Sequence, residues 1–321
     1  MIEHYNYNYG ENIHFPHDEE ISSCGYNACL NPYVYKKLFE NGLCIERFNY
    51  SEYKDCDIID LYTIGDVYNL EILDYNCKLL KKYFKHPFRY TIISSSCDEN
   101  IINEIQELCM KYDYIYMRFH SLSECNFHRF NMWGIYLNYV FYELIKNNNY
   151  NYFGFLDADV FFYRDFDIYE HFKNLDCFGK TRTSMNGIED EMNIWYLWYG
   201  FSFYKKDKFK KLDFTSKYRF MYENFMKGPF YETGGRNYFK YFYNMKERDL
   251  DIAYTDDLFL FMVETDLKYK NDITHNDVRA YALENLNYAY HFQNSGLWSG
   301  GLCLKHWNEK WENTKKLLDK L

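Results

Sequence analysis

Residues 153–162 read FGFLDADVFF, in which Asp157 and Asp159 interrupt a run of apolar and aromatic residues. The framing is typical of a buried strand, because the run is short and carries no charge on either side of the acids. If one strand continues through the pair, side-chain alternation directs both carboxylates to one face and Ala158 to the other. Two such carboxylates repel each other unless a positive charge lies between them. The stretch therefore predicts a site for a divalent cation that prefers oxygen ligands, Mg²⁺ or Mn²⁺, and such an ion would suit a diphosphate. The alternative is a strand-end pair that only caps turns.

Strand-like and helix-like segments alternate before this motif. The predicted strands are 57–63, 88–94, 114–119 and the motif strand itself. The helices between them carry apolar stripes, and Asp98 can cap the second one. This alternation predicts an α/β fold with a mostly parallel sheet flanked by helices. Ligands of such sheets bind at the carboxyl ends of strands, where Asp157 and Asp159 lie.

The second half of the chain is less regular. We expect strands near 177–181, 198–204, 250–254 and 288–292. We interpret residues 256–287 as an insertion. The last helix carries Trp307 and Trp311 on one stripe, which predicts a packing role.

Charge and cysteine usage narrow the class of protein. The formal net charge of -10 argues against non-specific binding to nucleic acid and to anionic membranes. The 10 cysteines form no Cys-x-x-Cys motif, which favours a reducing compartment. The first residues lack the pattern of a secretory signal, and no apolar run reaches the roughly 18 residues of a membrane span. We therefore expect a cytoplasmic protein.

Three stretches, taken in order, resemble one enzyme family. Residues 58–65 (IIDLYTIG) and 90–96 (YTIISSS) flank a helix, residues 155–159 (FLDAD) hold the paired acids, and residues 200–204 (GFSFY) precede Glu232 and His291. This order resembles the GT-A fold nucleotide-sugar glycosyltransferases, most closely the family 2-like bacterial and viral enzymes with an Asp-x-Asp motif. The resemblance implies a GT-A type, Rossmann-like sheet with a smaller mixed acceptor-side region.

The first 55 residues are polar, aromatic and irregular, and we interpret them as an N-terminal extension outside the resemblance. The resemblance implies that residues 56–305 are the glycosyltransferase domain, and residues 306–321 would be a C-terminal helix. Within the domain, residues 56–165 would bind the nucleotide and 166–305 the acceptor. The enzyme would use Mn²⁺ or Mg²⁺ to move a sugar from a UDP- or GDP-linked donor to a glycan, lipid-linked or protein acceptor.

The family's site residues carry over to matching positions of this chain. Asp159 and His291 would bind the metal, and Asp157 would reach the ion through water or hold the donor ribose. Glu232 would be the general base of an inverting reaction, with Asp256 and Asp257 as its rivals. The predicted donor-binding positions are Thr63, Asp66, Ser94, Asp98, Asn138 and Asp157. Asp66 and Asp98 are equally suited to cap helices, and Trp198 could stack on a sugar ring.

Two other functions remain open from the sequence. A phosphatase of the haloacid dehalogenase type could use Asp157 as its nucleophile and the pair Asp256 and Asp257 as its late acids. A sugar- or nucleotide-binding protein without catalysis could use the same fold, because fold alone does not prove activity.

Overall fold

The computed structural model describes residues 43–50, 57–66, 69–120, 129–183, 195–212, 214, 237, 252–253, 258–261, 282–292 and 304–321. The strands are β1 Cys44–Phe48, β2 Ile59–Ile64, β3 Phe88–Ser94, β4 Ile115–Phe119, β5 Tyr152–Leu156, β6 Val160–Phe162, β7 Cys177–Thr183, β8 Trp195–Lys205, β9 Ile252–Ala253, β10 Leu258–Phe261, β11 Ala282–Asn285 and β12 Ala289–His291. The helices are α1 Leu70–Tyr83, α2 Glu99–Tyr112, α3 Arg129–Tyr139, α4 Ile168–Phe172 and α5 Leu304–Leu318, with a π-helical segment Val140–Ile145 that continues α3.

The strands form two sheets. The larger has the order β1-β4-β3-β2-β5-β8-β7-β9, and its centre, β4-β3-β2-β5, is parallel. The smaller has the order β10-β11-β12-β6, and all its pairings are antiparallel. The predicted α/β class, with a mostly parallel centre flanked by helices and a smaller mixed region, is confirmed.

Two hydrophobic cores cover opposite faces of the large sheet. Helices α1, α2 and α5 pack on one face, and α3 with the π-helical segment packs on the other. Alternation along the strands supplies both cores: Leu61 faces the first and its neighbour Tyr62 the second. The sheet is therefore buried on both sides, as its apolar strands predict.

Local sequence signals explain the helix bounds. Asn69 caps α1 by accepting a hydrogen bond from the backbone N–H of Glu71 at 2.9 Å. Asp98 caps α2 in the same way through Asn100, at 2.9 Å. Helix α2 ends at Tyr112, and the next residue, Asp113, caps it with a left-handed φ of 62°. None of the described helices has the length and apolar character needed to cross a bilayer.

The opening motif departs from the predicted single strand. The strand divides at the two acids: β5 ends at Leu156 in the large sheet, and β6 begins at Val160 in the small one. The residues between them form a tight turn, closed by the hydrogen bond from the N–H of Val160 to the carbonyl of Asp157 at 3.1 Å. Asp157 and Asp159 therefore come together through a turn and not through strand alternation.

Two further segments differ from the sequence interpretation. Strand β1, within the predicted N-terminal extension, pairs antiparallel with β4 at the edge of the large sheet. Residues 282–285 of the predicted insertion form β11, which pairs with β12. The sequence of neither strand strongly indicates a strand, because both are short and depend on pairing. The partner of β1 is β4, far along the chain, and the partner of β11 is β12, beyond a turn.

A buried ion pair holds the amino edge of the sheet, opposite the carboxyl end of β5. Arg89 in β3 donates to both carboxylate oxygens of Asp60 in β2, at 2.8 and 2.7 Å. Tyr62 and Asn148 also donate to that carboxylate, at 2.6 and 2.7 Å. Asp60 and Arg89 are both almost fully buried, so this pair joins β2 to β3 without touching the acids after β5.

Arg89→Met should cost about 3–5 kcal/mol of unfolding free energy, because it leaves the Asp60 carboxylate buried without its counter-charge. Urea unfolding followed by circular dichroism measures the loss. Lys111→Met is the matched control, since it breaks an ion pair with Asp74 that is largely exposed, and it should cost less than about 1 kcal/mol. Equal losses in the two variants would contradict this role of the buried pair.

Candidate metal centre

Two side chains of the β5–β6 turn and one from the distant strand β12 converge beyond the carboxyl end of β5. Asp157, Asp159 and His291 each offer a ligand atom, and these atoms all lie within 4.8 Å of one another. Within the described part of the chain, this is the one group of three such side chains that could hold a metal ion. Two carboxylates and an imidazole suit a divalent cation such as Mn²⁺.

The β5–β6 turn fixes the position of the two acids. The N–H of Asp157 donates to the carbonyl of Gly200 in β8 at 2.8 Å. Asn76 of α1, which is fully buried, donates to the carbonyl of Val160 at 2.7 Å and is itself held by the hydroxyl of Tyr90 at 2.9 Å. The turn is therefore anchored from the neighbouring strand and from the helix.

The small sheet brings His291 to this turn. Strand β12 pairs antiparallel with β6, so that His291 lies opposite Val160. The N–H of Phe292 donates to the carbonyl of Asp159 at 3.0 Å, which extends the pairing by one residue. As a result, the Nε2 atom of His291 lies 3.4 Å from the Oδ1 atom of Asp159, and both side chains are buried.

The environment of His291 stabilises its protonated form when no metal is bound. Burial opposes the charge, but the nearby carboxylates of Asp159 and Glu284 outweigh it and raise the pKa of His291 to about 9. In the metal-free protein the imidazolium therefore lies between two carboxylates. A cation that binds to Nε2 has to replace that proton.

Trp198 packs against the ring of His291. Their ring centroids are 4.5 Å apart, and Trp198 is 7% exposed. The indole also lies across Gly200, where an added Cβ atom would come within 2.0 Å of the ring. Glycine at position 200 thus leaves room for the indole, and Trp198 is enclosed beside the histidine instead of open to a sugar.

The donor-binding positions predicted from the sequence are spread over the carboxyl edge and the interior. Asp66 follows β2 and accepts from the hydroxyls of Ser94 and Ser95, at 2.9 and 2.5 Å. Burial raises the pKa of Asp66, and the serine hydrogen bonds partly offset that effect. Thr63 is buried within β2, and Asp98 caps α2.

Asn138 is fully buried in α3. Its amide oxygen accepts a hydrogen bond from the backbone N–H of Phe214 at 2.9 Å. Glu232, Asp256 and Asp257, the three acids considered for the general base, lie outside the described residues.

Sequence reasoning missed three polar residues that support this cluster: Asn76, Lys180 and Glu284. All three are almost fully buried. Lys180 lies in the apolar stretch CFGKT of β7, and a lysine in a buried strand is a signal that something charged faces it.

Comparisons with known proteins add a partial structural similarity. No protein-family model matches the chain, and no curated protein matches it in sequence. Core-mannan synthase A from Aspergillus fumigatus, in its Mn/GDP form, is similar with a TM-score of 0.33 and 14% identity, over 50% of this chain and 63% of that one.

Two other solved structures show similarity of the same extent. The mannosyltransferase Ktr4p from S. cerevisiae has a TM-score of 0.31 and 11% identity, over 65% of this chain and 72% of that one. The mannosyltransferase PcManGT from Pyrobaculum calidifontis, in complex with GDP-Man and Mn2+, has a TM-score of 0.32 and 8% identity, over 60% of this chain and 57% of that one. The chain thus spans less than two thirds of the length of two of these structures.

Isothermal titration with Mn²⁺ should detect one site in the wild-type protein. Asp159→Asn should weaken binding by at least about tenfold, because it removes the charge of a buried ligand beside His291. Asp165→Asn is the matched control, since Asp165 is largely exposed and pairs with Lys85, and its affinity should equal that of the wild type. Equal affinity of the Asp159 variant and the control would contradict the metal centre.

Proposed function

We propose that this chain is a metal-dependent glycosyltransferase that moves a sugar from a nucleotide-diphosphate donor to an acceptor hydroxyl. The observation that carries the proposal is the convergence of Asp157, Asp159 and His291 beyond the carboxyl end of a central parallel strand. This is the edge where ligands of such sheets bind. The order of motifs along the sequence, which resembles the GT-A glycosyltransferases, supports the same reaction.

The donor would lie along the carboxyl edge of three neighbouring strands. Strand β2 lies between β3 and β5, so Asp66, which follows β2, and Ser94, the last residue of β3, lie at the same edge of the sheet as the carboxyl end of β5. The nucleoside would contact Asp66 and Ser94, above the buried Thr63 and near Asp98. The diphosphate would lie toward Asp157 and Asp159. Asn138, which is buried in α3, would act through the position of that helix.

The side chains of the metal centre have separate tasks. Asp159 and His291 would be the direct ligands, because both are buried and face each other. Asp157 is less buried, which suits contact through water or with the ribose. A divalent cation held there would supply positive charge that stabilises the leaving diphosphate.

Glu232 is the proposed general base, with Asp256 and Asp257 as rivals. A base must take the proton of the acceptor hydroxyl as that oxygen attacks the anomeric carbon from the side opposite the diphosphate. Direct attack of this kind inverts the configuration at the anomeric carbon. The resemblance to the GT-A enzymes favours Glu232, because Thr233 and Gly234 follow it, and a Thr-Gly pair follows the catalytic acid in a subset of that family.

A reducing compartment, the cytoplasm, is the proposed location. The five cysteines in the described part of the chain are free thiols, and three of them are buried. Burial raises the pKa of the Cys77 and Cys109 thiols, which keeps them unreactive.

Nucleotide release from a panel of UDP- and GDP-linked sugars tests the reaction. Release should require Mn²⁺, stop in excess chelator and return when Mn²⁺ is restored, because the leaving diphosphate carries the developing charge. Asp159→Ala should abolish turnover, and Asp165→Asn should retain it. Full turnover in chelator would contradict the metal role, and release of phosphate from simple phosphoesters would favour the phosphatase instead.

The same assay distinguishes the three acids. Glu232→Gln should lose at least about a hundredfold in transfer, the scale of general base catalysis, while a thermal-shift titration shows that donor binding is kept. Asp256→Asn and Asp257→Asn, made singly, are the comparison variants. If Glu232→Gln keeps its rate and one of them loses it, the base is misassigned while the metal role stands.

A further inference from the structure

A buried ionic pair lies directly behind the proposed metal ligand His291. Glu284 of β11 is fully buried, and its Oε2 atom lies 2.8 Å from the Nδ1 atom of His291. On the other side of the carboxylate, the Nζ atom of Lys180 lies 4.0 Å from Oε1, and Lys180 is 2% exposed. Neither residue belongs to the cluster that would bind the ion.

The contact between Glu284 and His291 fixes which ring nitrogen carries the proton. An ionised carboxylate can only accept hydrogen bonds, so Nδ1 must be the donor. In the neutral imidazole that a metal ligand requires, Nε2 then holds the free electron pair. Nε2 is also the atom that faces Asp159, at 3.4 Å. The hydrogen bond therefore presents the coordinating nitrogen to the site.

We propose that Glu284 is a positioning residue of the metal centre, acting through His291; this rests on the metal role in the proposed function. A carboxylate behind a ligating histidine fixes its tautomer and orientation and increases the basicity of the coordinating nitrogen. The arrangement comes from the hairpin itself, because β11 and β12 pair with Glu284 opposite His291. One short hairpin thus supplies both the ligand and the group that orients it.

Lys180 provides the counter-charge for Glu284. Burying a carboxylate without a counter-charge costs folding free energy. Without Lys180, the Glu284 carboxylate would therefore tend to bind the cation itself or to take up a proton. Lys180 lies where the pairing of β7 and β8 shifts register, between Gly179 and Thr181, and such a bulge redirects a side chain. With a neutral His291 and a divalent cation, the charges of the two aspartates, the cation and the Lys180–Glu284 pair cancel.

Trp198 limits movement of His291 on another side. Its indole packs against the imidazole with centroids 4.5 Å apart. A hydrogen bond from Nδ1 at one edge and an aromatic neighbour at the ring leave few orientations open to the side chain. Loss of Glu284 should therefore change the tautomer and the tilt of His291 within its pocket, and not release the residue from the strand.

Mn²⁺ titration of Glu284→Leu and Glu284→Gln tests the proposal. Glu284→Leu should weaken Mn²⁺ binding by about 10–100-fold, because no acceptor faces Nδ1. Glu284→Gln keeps an acceptor oxygen and should lose less, and it is the variant to measure if Glu284→Leu does not fold. Leu286→Ala is the control, since Leu286 is a buried core residue of the same hairpin whose side chain belongs to the hydrophobic core, and it should lower the melting temperature but keep Mn²⁺ affinity.

A spectroscopic readout separates positioning from a loss of folding. In protein labelled with ¹⁵N-histidine and loaded with Zn²⁺, His291 should carry its proton on Nδ1 in the wild type and in Glu284→Gln, and should mix tautomers in Glu284→Leu. Wild-type affinity in both Glu284 variants, or an equal loss in Leu286→Ala, would overturn the proposal. Absence of Mn²⁺ binding in the wild type would instead overturn the metal role on which it rests.

Discussion

The pairing of β6 with β12 is the interaction on which the candidate site depends. The two aspartates follow β5 in the large sheet, whereas His291 ends a strand of the small sheet. The two sheets meet at the turn between β5 and β6, and the backbone hydrogen bond from Phe292 to Asp159 joins the histidine strand to that turn at 3.0 Å. A one-residue slip in this pairing would turn His291 away from the acids.

Two helices support this junction from the same face of the large sheet. Asn76 of α1 holds the carbonyl of Val160, at the start of β6. Lys310 of α5 donates to the carbonyl of Phe292, and Trp311 of the same helix donates to Glu71 of α1 at 2.9 Å. The C-terminal helix therefore has a structural connection to the candidate metal centre, and the predicted packing role of Trp311 is confirmed by its burial in the core.

The sequence predicts the fold and the site best where chemically distinctive residues lie within a regular apolar pattern. The apolar framing of Asp157 and Asp159 predicts their location at the end of a central strand, and the strand–helix alternation predicts the parallel centre. The predicted continuous strand is wrong because a turn and a strand cannot be told apart over three residues by periodicity alone. Glu284 has no local signal, since a single acid in a short strand reads as an exposed position until the pairing with His291 is known.

The charges of the site form one connected system of buried groups. Successive contacts in space join Lys180 to Glu284, Glu284 to His291 and His291 to Asp159. Each of these two carboxylates therefore has a cationic neighbour when the metal is absent. A divalent cation can take the place of the imidazolium proton in this chain without leaving an unbalanced charge. Buried charge alone does not indicate a metal site, because structural ion pairs also bury charge. Here an imidazole nitrogen and two carboxylates offer ligand atoms within 4.8 Å of one another, and binding of a metal ion accounts for that arrangement.

Pulsed electron paramagnetic resonance of the Mn²⁺-loaded protein detects the magnetic coupling of a coordinated nitrogen, and it is therefore the most direct test of metal binding by His291. We expect a ¹⁴N coupling in the wild type that is lost in His291→Phe, together with a hyperfine change in Asp159→Asn. Bound Mn²⁺ without any nitrogen coupling in the wild type would contradict metal binding by His291, because the ion would then lie away from that residue.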